Sequence, residues 1–142
     1  MEHELIDIRT KVTEGKGQLS FFEAGVDIPF SIKRIYYTYD VPVGERRGGH
    51  AHRNLRQLLV CPKGKIEVDL FDGLEKRTYL LDDPSKGLCV SNMTWRDMVW
   101  LEEGSVLMVA ASDYYDESDY IRDYDVFLEC VQDASAKKGL CG

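Results

Sequence analysis

The stretch RGGHAHRNLRQ, from Arg47 to Gln57, contains two of the chain's three histidines, His50 and His52. One residue separates them, so a β-strand would send both imidazoles to the same face. Histidine changes its charge near neutral pH and also ligates metals. Two neighbouring imidazoles therefore suit a metal centre, a proton transfer or ordinary packing, and the surrounding residues must distinguish these.

The residues around the pair have a recognisable spacing. The order is Gly44, five residues, His50, one residue, His52, four residues, Gln57, six residues and Gly64. This resembles the first motif of the cupins, G-x5-H-x-H-x(3,4)-E-x6-G, whose histidines and glutamate point into a β-barrel. In metal-binding cupins a second motif downstream supplies another histidine.

The ligand set of a metal-binding cupin is incomplete in this chain. Gln57 stands at the position of the acidic ligand, and Arg96 stands at or near the histidine position of the second motif, GLCVSNMTWR. The third histidine, His3, lies in the N-terminal segment. Because a transition metal requires about three or four N, O or S ligands, we expect no bound metal.

Cations and phenols precede and follow the histidine pair. This set suits acid–base chemistry on an anionic ligand better than it suits packing, although packing as core or rim histidines is the alternative. Its members are Tyr36, Tyr37, Tyr39, Arg46, Arg47, Arg53 and Arg56.

The composition is that of one ordinary globular domain covering residues 1–142, with 44% hydrophobic and 30% charged residues. A net charge of −7 argues against a nucleic-acid partner but allows a local cluster of cations. The apolar runs are too short to span a bilayer, and MEHELIDIRT is too acidic for a signal peptide. The four cysteines form no CxxC pair, so we expect free thiols and a cytoplasmic protein.

Short strand-like segments follow one another along most of the chain. They cover residues 32–39, 55–60, 66–71, 76–81, 86–92, 97–102 and 105–112. CPKGK reads as a turn, and Asp72-Gly73 predicts a hairpin. Many short strands with turns between them indicate an all-β barrel or jelly roll of the cupin type.

A helical period follows the strands. Ser118 reads as its N-cap, and one apolar stripe would contain Tyr120, Tyr124, Phe127, Leu128 and Val131. We expect this short C-terminal helix to fray after Asp133.

Beyond the cupin motif, the chain closely resembles the dTDP-4-keto-6-deoxyglucose 3,4-ketoisomerases, cupins related to the dTDP-sugar 3,5-epimerases. The matching stretches are IPFSIKRIYY, RGGHAH, LVCPKG, DDPSKGLCV, MTWRDM and ASDYYDESDYIRDYD, in this order over residues 28–125. The resemblance implies that the keto group of a dTDP-linked 4-keto-6-deoxyhexose moves from C4 to C3 through a cis-enediol, without any cofactor. It also implies a role in making a 3-amino-dideoxysugar for lipopolysaccharide, an S-layer glycan or a secondary metabolite.

The resemblance also implies roles for individual residues. His50 would move the carbon proton and His52 the hydroxyl proton, although the two could be reversed. Tyr36 would line the barrel because it shares a strand face with Arg34, whereas Tyr37 points the other way.

Several positively charged and polar residues are candidates for binding the substrate. Arg47, Arg34 and Lys16 are candidates for the diphosphate, and Arg96 and Gln57 for other contacts. Lys16 lies in EGKGQLSFFE, which is similar to a D-x-R-G-x-L segment of these cupins with Lys in place of Arg. Trp95 would be either core or a sugar platform. Residues expected to be solvated or only bracing are Arg46, Arg53, Arg56, Arg77, Asp113, Asp116, Asp119, Asp125, Tyr114 and Arg122.

Two other functions are compatible with the same motifs, a 3,5-epimerase and a non-catalytic sugar-nucleotide-binding cupin. The family resemblance implies a homodimer, and ELIDIRT is an alternating segment that needs a sheet to join. Arg96 is typical of the branch that gives the gluco product, where the galacto branch tends to carry histidine. Lys16 matches neither branch, so we favour dTDP-3-keto-6-deoxy-D-glucose and keep the galacto product as the alternative.

Overall fold

Short antiparallel strands make up most of the fold, and a helix follows them. The structure, a computed structural model, describes the backbone of residues 4–141 and the side chains of residues 4–133. His3 and Gly142 lie outside the described residues. The elements are β1 (Glu4–Asp7), β2 (Arg9–Thr13), β3 (Gly17–Phe21), β4 (Arg34–Thr38), β5 (Arg46–His52), β6 (Gln57–Lys63), β7 (Ile66–Phe71), β8 (Lys76–Leu81), β9 (Lys86–Val90), β10 (Trp95–Trp100), β11 (Val106–Ala111), β12 (Tyr120–Ile121) and α1 (Tyr124–Cys141).

The strands form two five-stranded sheets and a separate hairpin. The first sheet has the order β1-β9-β6-β11-β4, the second has the order β12-β5-β10-β7-β8, and β2 pairs with β3. Buried side chains from both sheets form one core, which includes Leu59, Leu88 and Val109 of the first sheet and Val68 and Trp100 of the second. This is the two-sheet jelly-roll arrangement of the cupins, so the predicted fold class is confirmed.

The strand periodicity predicted the central hairpin correctly. Ile66, Val68 and Leu70 of β7 are all buried, and β7 pairs with β8 across the predicted turn. At that turn the Asp72 carboxylate accepts hydrogen bonds from the backbone N–H groups of Leu74 and Glu75.

The predicted turn at residues 61–65 is partly wrong. Strand β6 continues through Cys61 and Pro62 to Lys63, and the chain reverses only at Gly64, whose φ is +97°. Glycine adopts this conformation without the steric cost that a Cβ would bring.

The C-terminal helix begins later than predicted. Ser118 lies in a 3₁₀ turn that Asp116 caps, and Tyr120 belongs to strand β12. The helix starts at Tyr124, where the Asp123 carboxylate accepts from the backbone N–H of Asp125 at 2.9 Å. At both places an acidic side chain accepts a hydrogen bond from a backbone N–H group. This local hydrogen bonding prevents a helix before residue 124, although the apolar period begins earlier.

Helix α1 also extends beyond the predicted fraying point at Asp133 and ends at Cys141. Its Phe127 is fully buried, and Leu128 and Val131 pack in the same apolar cluster, as the predicted stripe requires. Within residues 4–141 no helix combines the length and apolarity needed to cross a membrane. Cys61, Cys89 and Cys130 are free thiols.

The N-terminal segment ELIDIRT joins a sheet of its own chain. Strand β1 pairs with β9 at the edge of the first sheet. The following β2–β3 hairpin leaves large apolar side chains in solvent, with Val12 72% and Leu19 59% exposed.

The turn at Gly64 gives a test of this packing. In Gly64→Ala the new Cβ would lie 2.6 Å from the Ser105 Cα, and the positive φ adds strain. We expect a loss of about 2–4 kcal/mol in the free energy of unfolding, measured by denaturant titration.

Gly25→Ala is the matched control, because Gly25 has φ +77° but a Cβ added there would have nothing within 4 Å. It should lose only about 1 kcal/mol, the steric cost of the left-handed region. Equal losses in the two variants would contradict the close approach of Gly64 to Ser105.

Candidate active site

A cavity of about 490 Å³ opens beside the histidine pair. Five strands contribute to its wall, which combines one imidazole, two phenols and four guanidinium groups with apolar residues deeper inside. The lining residues are Arg34, Tyr36, Thr38, Arg46, Arg47, Gly48, His50, Met98, Trp100, Leu107, Tyr120 and Arg122. Its volume falls within the range of about 300–1,000 Å³ that is usual for small-molecule sites.

Strand β5 presents both imidazoles to the same side, as its alternation predicts. The ring centroids of His50 and His52 are 5.0 Å apart, and the rings are nearly perpendicular. His50 lines the cavity, whereas His52 is fully buried behind it. Strand β12 pairs with β5 so that Tyr120 lies opposite His52, with ring centroids 4.4 Å apart.

A carboxylate holds the buried imidazole. The Nδ1 atom of His52 lies 3.1 Å from Oδ2 of Asp119. The other oxygen of Asp119 accepts from the backbone N–H of Asn54 at 2.8 Å, which fixes the carboxylate. A neutral imidazole that donates from Nδ1 keeps a lone pair on Nε2, so this contact selects the tautomer of His52.

Asp119 was expected to be a solvated surface charge, and the structure corrects this. Its side chain is only 12% exposed, and it ends the 3₁₀ turn Glu117–Asp119 directly before β12. Asp119 is one of five aspartates in an acidic run, and only the pairing of β12 with β5 shows which of them reaches the histidine. In the sequence, the one feature that pointed to Asp119 was its position within the segment SDYYDESDYIRDYD.

A second buried group connects the histidine sheet to the other sheet. Arg96 pairs across the strands with His50, at the position predicted for a second-motif ligand, and is 2% exposed. Its guanidinium donates to the side-chain oxygen of Gln57 and to the Thr94 carbonyl. The Gln57 amide nitrogen donates to the Tyr36 hydroxyl at 2.9 Å. Of these three linked residues, only Tyr36 lines the cavity.

The electrostatics of the site keep both histidines neutral. Burial, followed by the charge of Arg96, lowers the pKa of His50 to about 4. Burial, Arg96 and the neighbouring His50 lower the pKa of His52 to about 2. Burial lowers the pKa of Arg96 to about 10, which still leaves the guanidinium charged at neutral pH. Both imidazoles are therefore unprotonated at neutral pH and can accept a proton.

Some of the predicted cations lie in the cavity wall, and others lie away from it. Arg34 and Arg47 line the cavity, whereas Lys16 lies exposed at the β2–β3 turn and is not among the lining residues. Arg46 is exposed, as expected for a solvated charge, and it borders this cavity and a second one that Asp69 and Asp97 also line. Arg122 lines the cavity beside the histidines as well, and its guanidinium lies 4.3 Å from the ring centroid of Tyr120.

Other candidates point away from this cavity. Trp95 packs against Tyr124 and Phe127 of α1, with ring centroids 5.2 and 5.7 Å away, so it belongs to the packing under the helix. Tyr37, the strand neighbour of Tyr36, faces outward and is 65% exposed.

Tyr120 was expected on a helical stripe, but it belongs to strand β12 and lines the cavity.

The donor set around the histidines does not favour a metal. Among the described side chains, no three or more His, Cys, Asp or Glu residues lie close enough together to hold one. The Gln57 oxygen, at the position of the acidic cupin ligand, already accepts from the Arg96 guanidinium. A divalent cation bound there would have to replace that donor and lie beside its positive charge.

Asp119→Asn should reverse the tautomer of His52. The Asn54 N–H requires an acceptor, so the amide oxygen would face it and the amide nitrogen would face His52. Because that nitrogen only donates, Nδ1 must give up its proton to Nε2. We expect ¹⁵N NMR of the imidazole to show this switch, with about 1–3 kcal/mol of stability lost.

Asp125→Asn, at an exposed position in the first turn of α1, is the control and should leave the His52 resonances unchanged. An unchanged tautomer in Asp119→Asn would contradict the assigned hydrogen bond.

The comparisons with known proteins agree with this geometry. Residues 1–132 match the family model "FdtA: WxcM-like, C-terminal". The TDP-4-oxo-6-deoxy-alpha-D-glucose-3,4-oxoisomerase of Aneurinibacillus thermoaerophilus is 43% identical over 138 residues, which cover 97% of this chain and 99% of that protein.

Two solved structures are similar throughout. The sugar 3,4-ketoisomerase QdtA from Thermoanaerobacterium thermosaccharolyticum, solved with TDP, is 39% identical and has a TM-score of 0.89 over 93% of this chain and 96% of that one. A 3,4-ketoisomerase from Helicobacter canadensis is 40% identical, also with a TM-score of 0.89, over 93% and 98% of the two chains. On these grounds the chain belongs to the FdtA family of sugar 3,4-ketoisomerases.

Proposed function

We propose that this protein moves the keto group of dTDP-4-keto-6-deoxy-D-glucose from C4 to C3. The observation that carries this proposal is the position of the His50 imidazole in the wall of a cavity that arginines line. The similar QdtA is known in complex with TDP, and a variant of QdtA is known with TDP-4-keto-6-deoxyglucose. The site offers the groups that such a ligand needs.

The cations suit the diphosphate of the nucleotide. Arg47 and Arg34, the predicted diphosphate ligands, both lie in the wall, and Arg46 and Arg122 add two more guanidinium groups. Guanidinium groups bind phosphate oxygens through paired N–H donors. We therefore assign these arginines to the anionic part of the substrate and the histidine end of the cavity to the sugar.

His50 is the base in this reaction. It removes the C3 proton, which the adjacent C4 ketone acidifies, and the C–H electrons form the C3–C4 double bond of the enediol. The C4 oxygen takes a proton as its carbonyl π bond opens. The C3 hydroxyl then loses its proton and becomes the ketone, while C4 receives a proton from the His50 imidazolium. Every proton removed is returned, so the reaction requires no redox cofactor.

His52 is assigned to the exchange of protons between the two oxygens. Its Nε2 is buried without a hydrogen-bond partner among the described residues, and its ring contacts those of His50 and Tyr120. The carbon proton goes to His50 rather than His52 because only His50 lines the cavity.

The gluco configuration is the proposed outcome at C4. Its support is Arg96, the residue type of the gluco branch, which lies across the strand pair from His50. Because Arg96 is buried, it acts on the sugar through the residues of the wall rather than from the solvent side.

A homodimer would account for the exposed apolar surface. Ile35, Tyr37 and Tyr39 are at least 55% exposed on and beside the outer face of β4, and Val12 and Leu19 are exposed on the β2–β3 hairpin. Single exposed apolar residues are ordinary, but a group of this kind marks an interface. We propose that a second copy covers this surface and that its hairpin brings Lys16 toward the cavity.

Proton NMR in deuterium oxide tests the reaction. The protein, treated with EDTA, should remove the C3 proton of dTDP-4-keto-6-deoxyglucose and place solvent deuterium on C4 of the 3-keto product. In ordinary water the same product should show a large H4–H5 coupling if it has the gluco configuration. His50→Asn should lower C3 exchange on the order of a hundredfold or more while nucleotide binding persists. His52→Asn should reduce turnover but retain some C3 exchange.

Each alternative function has its own result in this experiment. Exchange at C3 and C5 would indicate a 3,5-epimerase, and binding without exchange would indicate a non-catalytic protein. Wild-type C3 exchange in His50→Asn would show that another group is the base. Activity that a divalent metal restores after EDTA would contradict the cofactor-free reaction.

Light scattering tests the dimer. We expect twice the 16.3 kDa chain mass at micromolar concentration, and we expect Leu19→Glu to shift the protein toward monomer because it buries a charge in the proposed interface. Leu74→Glu, at a residue that is 84% exposed on the β7–β8 turn, is the control and should leave the mass unchanged. A wild-type monomer would contradict the proposal.

A further inference from the structure

Three polar side chains form a hydrogen-bonded series that runs from the protein interior to the cavity wall. Arg96 is 2% and Gln57 is 1% exposed, and Gln57 lies between Arg96 and the half-buried Tyr36. The series ends at the Tyr36 hydroxyl, which lies in the cavity wall with His50.

The chemistry of the series fixes the direction of each hydrogen bond. A guanidinium has donors and no acceptor, so the Gln57 group that faces Arg96 must be the amide oxygen. The amide nitrogen is then the group 2.9 Å from the Tyr36 hydroxyl, and an amide nitrogen only donates. The orientation of Gln57, often ambiguous in proteins, is therefore determined by its charged neighbour.

This arrangement leaves the Tyr36 O–H without an acceptor within the series. Its oxygen accepts from Gln57, so its own O–H must point elsewhere, and the ring lies in the cavity wall. Burial raises the pKa of Tyr36, so the hydroxyl keeps its proton at neutral pH. The guanidinium of Arg34 lies 5.3 Å from the Tyr36 ring centroid and adds positive charge beside it.

We propose that Arg96 and Gln57 are positioning residues that hold the Tyr36 O–H as a hydrogen-bond donor to the oxygen that becomes negative when the enediolate forms. This inference rests on the proposed ketoisomerase reaction. A donor fixed before the reaction stabilises charge that develops in the transition state without reorganisation at that moment. Gln57 stands at the position of a cupin metal ligand. Here it supports the developing oxyanion through the Tyr36 hydroxyl and not through a metal.

Gln57→Glu tests the direction of the hydrogen bond with almost no change in shape. Glutamate can still pair with Arg96, but its carboxylate has no proton to donate. Tyr36 would then donate to Glu, and its proton would be withdrawn from the cavity. We expect kcat to fall on the order of a hundredfold with KM nearly unchanged, as for the loss of one oxyanion donor.

The double variant with Tyr36→Phe separates this role from simple packing. Tyr36→Phe alone should cause a similar loss, and Gln57→Glu should add almost nothing in the Tyr36→Phe background, because both act through one hydroxyl. The rates are compared at about pH 8.5, where histidine is neutral even with its ordinary pKa. Gln132→Glu, an exposed position with the same change in charge, is the control and should keep wild-type activity.

The outcomes distinguish this inference from the function on which it rests. Wild-type protein without C3–C4 exchange would overturn the proposed function and the role of Tyr36 with it. Active wild-type protein with an active Gln57→Glu variant, or with additive losses in the double variant, would overturn the positioning role alone. If circular dichroism shows that Gln57→Glu is unfolded, the same cycle is run with the neutral Gln57→Met, for which non-additivity with Tyr36→Phe is again expected.

Discussion

The buried guanidinium of Arg96 is the charge around which the site is organised. Removing a cation from water carries a penalty of several kcal/mol unless its donors are satisfied. Here the Gln57 oxygen and the Thr94 carbonyl accept from it, and no described carboxylate forms an ion pair with it. The guanidinium has no hydrogen-bond partner at Nε among the described residues, and Asp119 acts on it electrostatically without touching it. The guanidinium disfavours protonation of both histidines, and it determines which way Gln57 faces.

Two layers of residues result from this arrangement. His50, Tyr36 and Tyr120 form the front layer that faces the cavity. The rear layer contains His52, Asp119, Gln57 and Arg96. Asp119 holds His52, the proposed proton shuttle, and Gln57 binds both Arg96 and the Tyr36 hydroxyl. Such support matters because acid–base chemistry depends on which atom carries the proton as well as on which residue is present.

The segment between β11 and α1 completes the site although it contains little regular structure. Asp116 caps its 3₁₀ turn, Asp119 reaches His52, and the two-residue strand β12 places Tyr120 opposite the same histidine. Arg122 then lies over the Tyr120 ring and pairs with Glu117. A run of acidic and aromatic residues that looked like a solvated surface thus contributes Tyr120 and Arg122 to the cavity wall.

The amino-acid sequence by itself determined the β-sheet fold and the central part of the site. Alternation of apolar residues in β7 and of histidines in β5 fixed which side chains point inward, because the strand period depends only on local geometry. The same rule separated Tyr36 from Tyr37. The resemblance of GLCVSNMTWR to the second cupin motif implied Arg96 near the histidines, and the pairing of β10 with β5 places it opposite His50.

Only the tertiary structure decided which residues contact one another across long chain separations. Asp119 and His52 are 67 residues apart, and nothing local distinguishes this aspartate from its acidic neighbours. Arg96 and Gln57 carried the correct residue types, but their burial and the direction of their hydrogen bonds depend on how two sheets pack. Arg46 looked like any other arginine next to the histidines until the cavity was seen. Local periodicity places a side chain on a face, and only the packing of several elements determines whether that face meets solvent, a cavity or a charge.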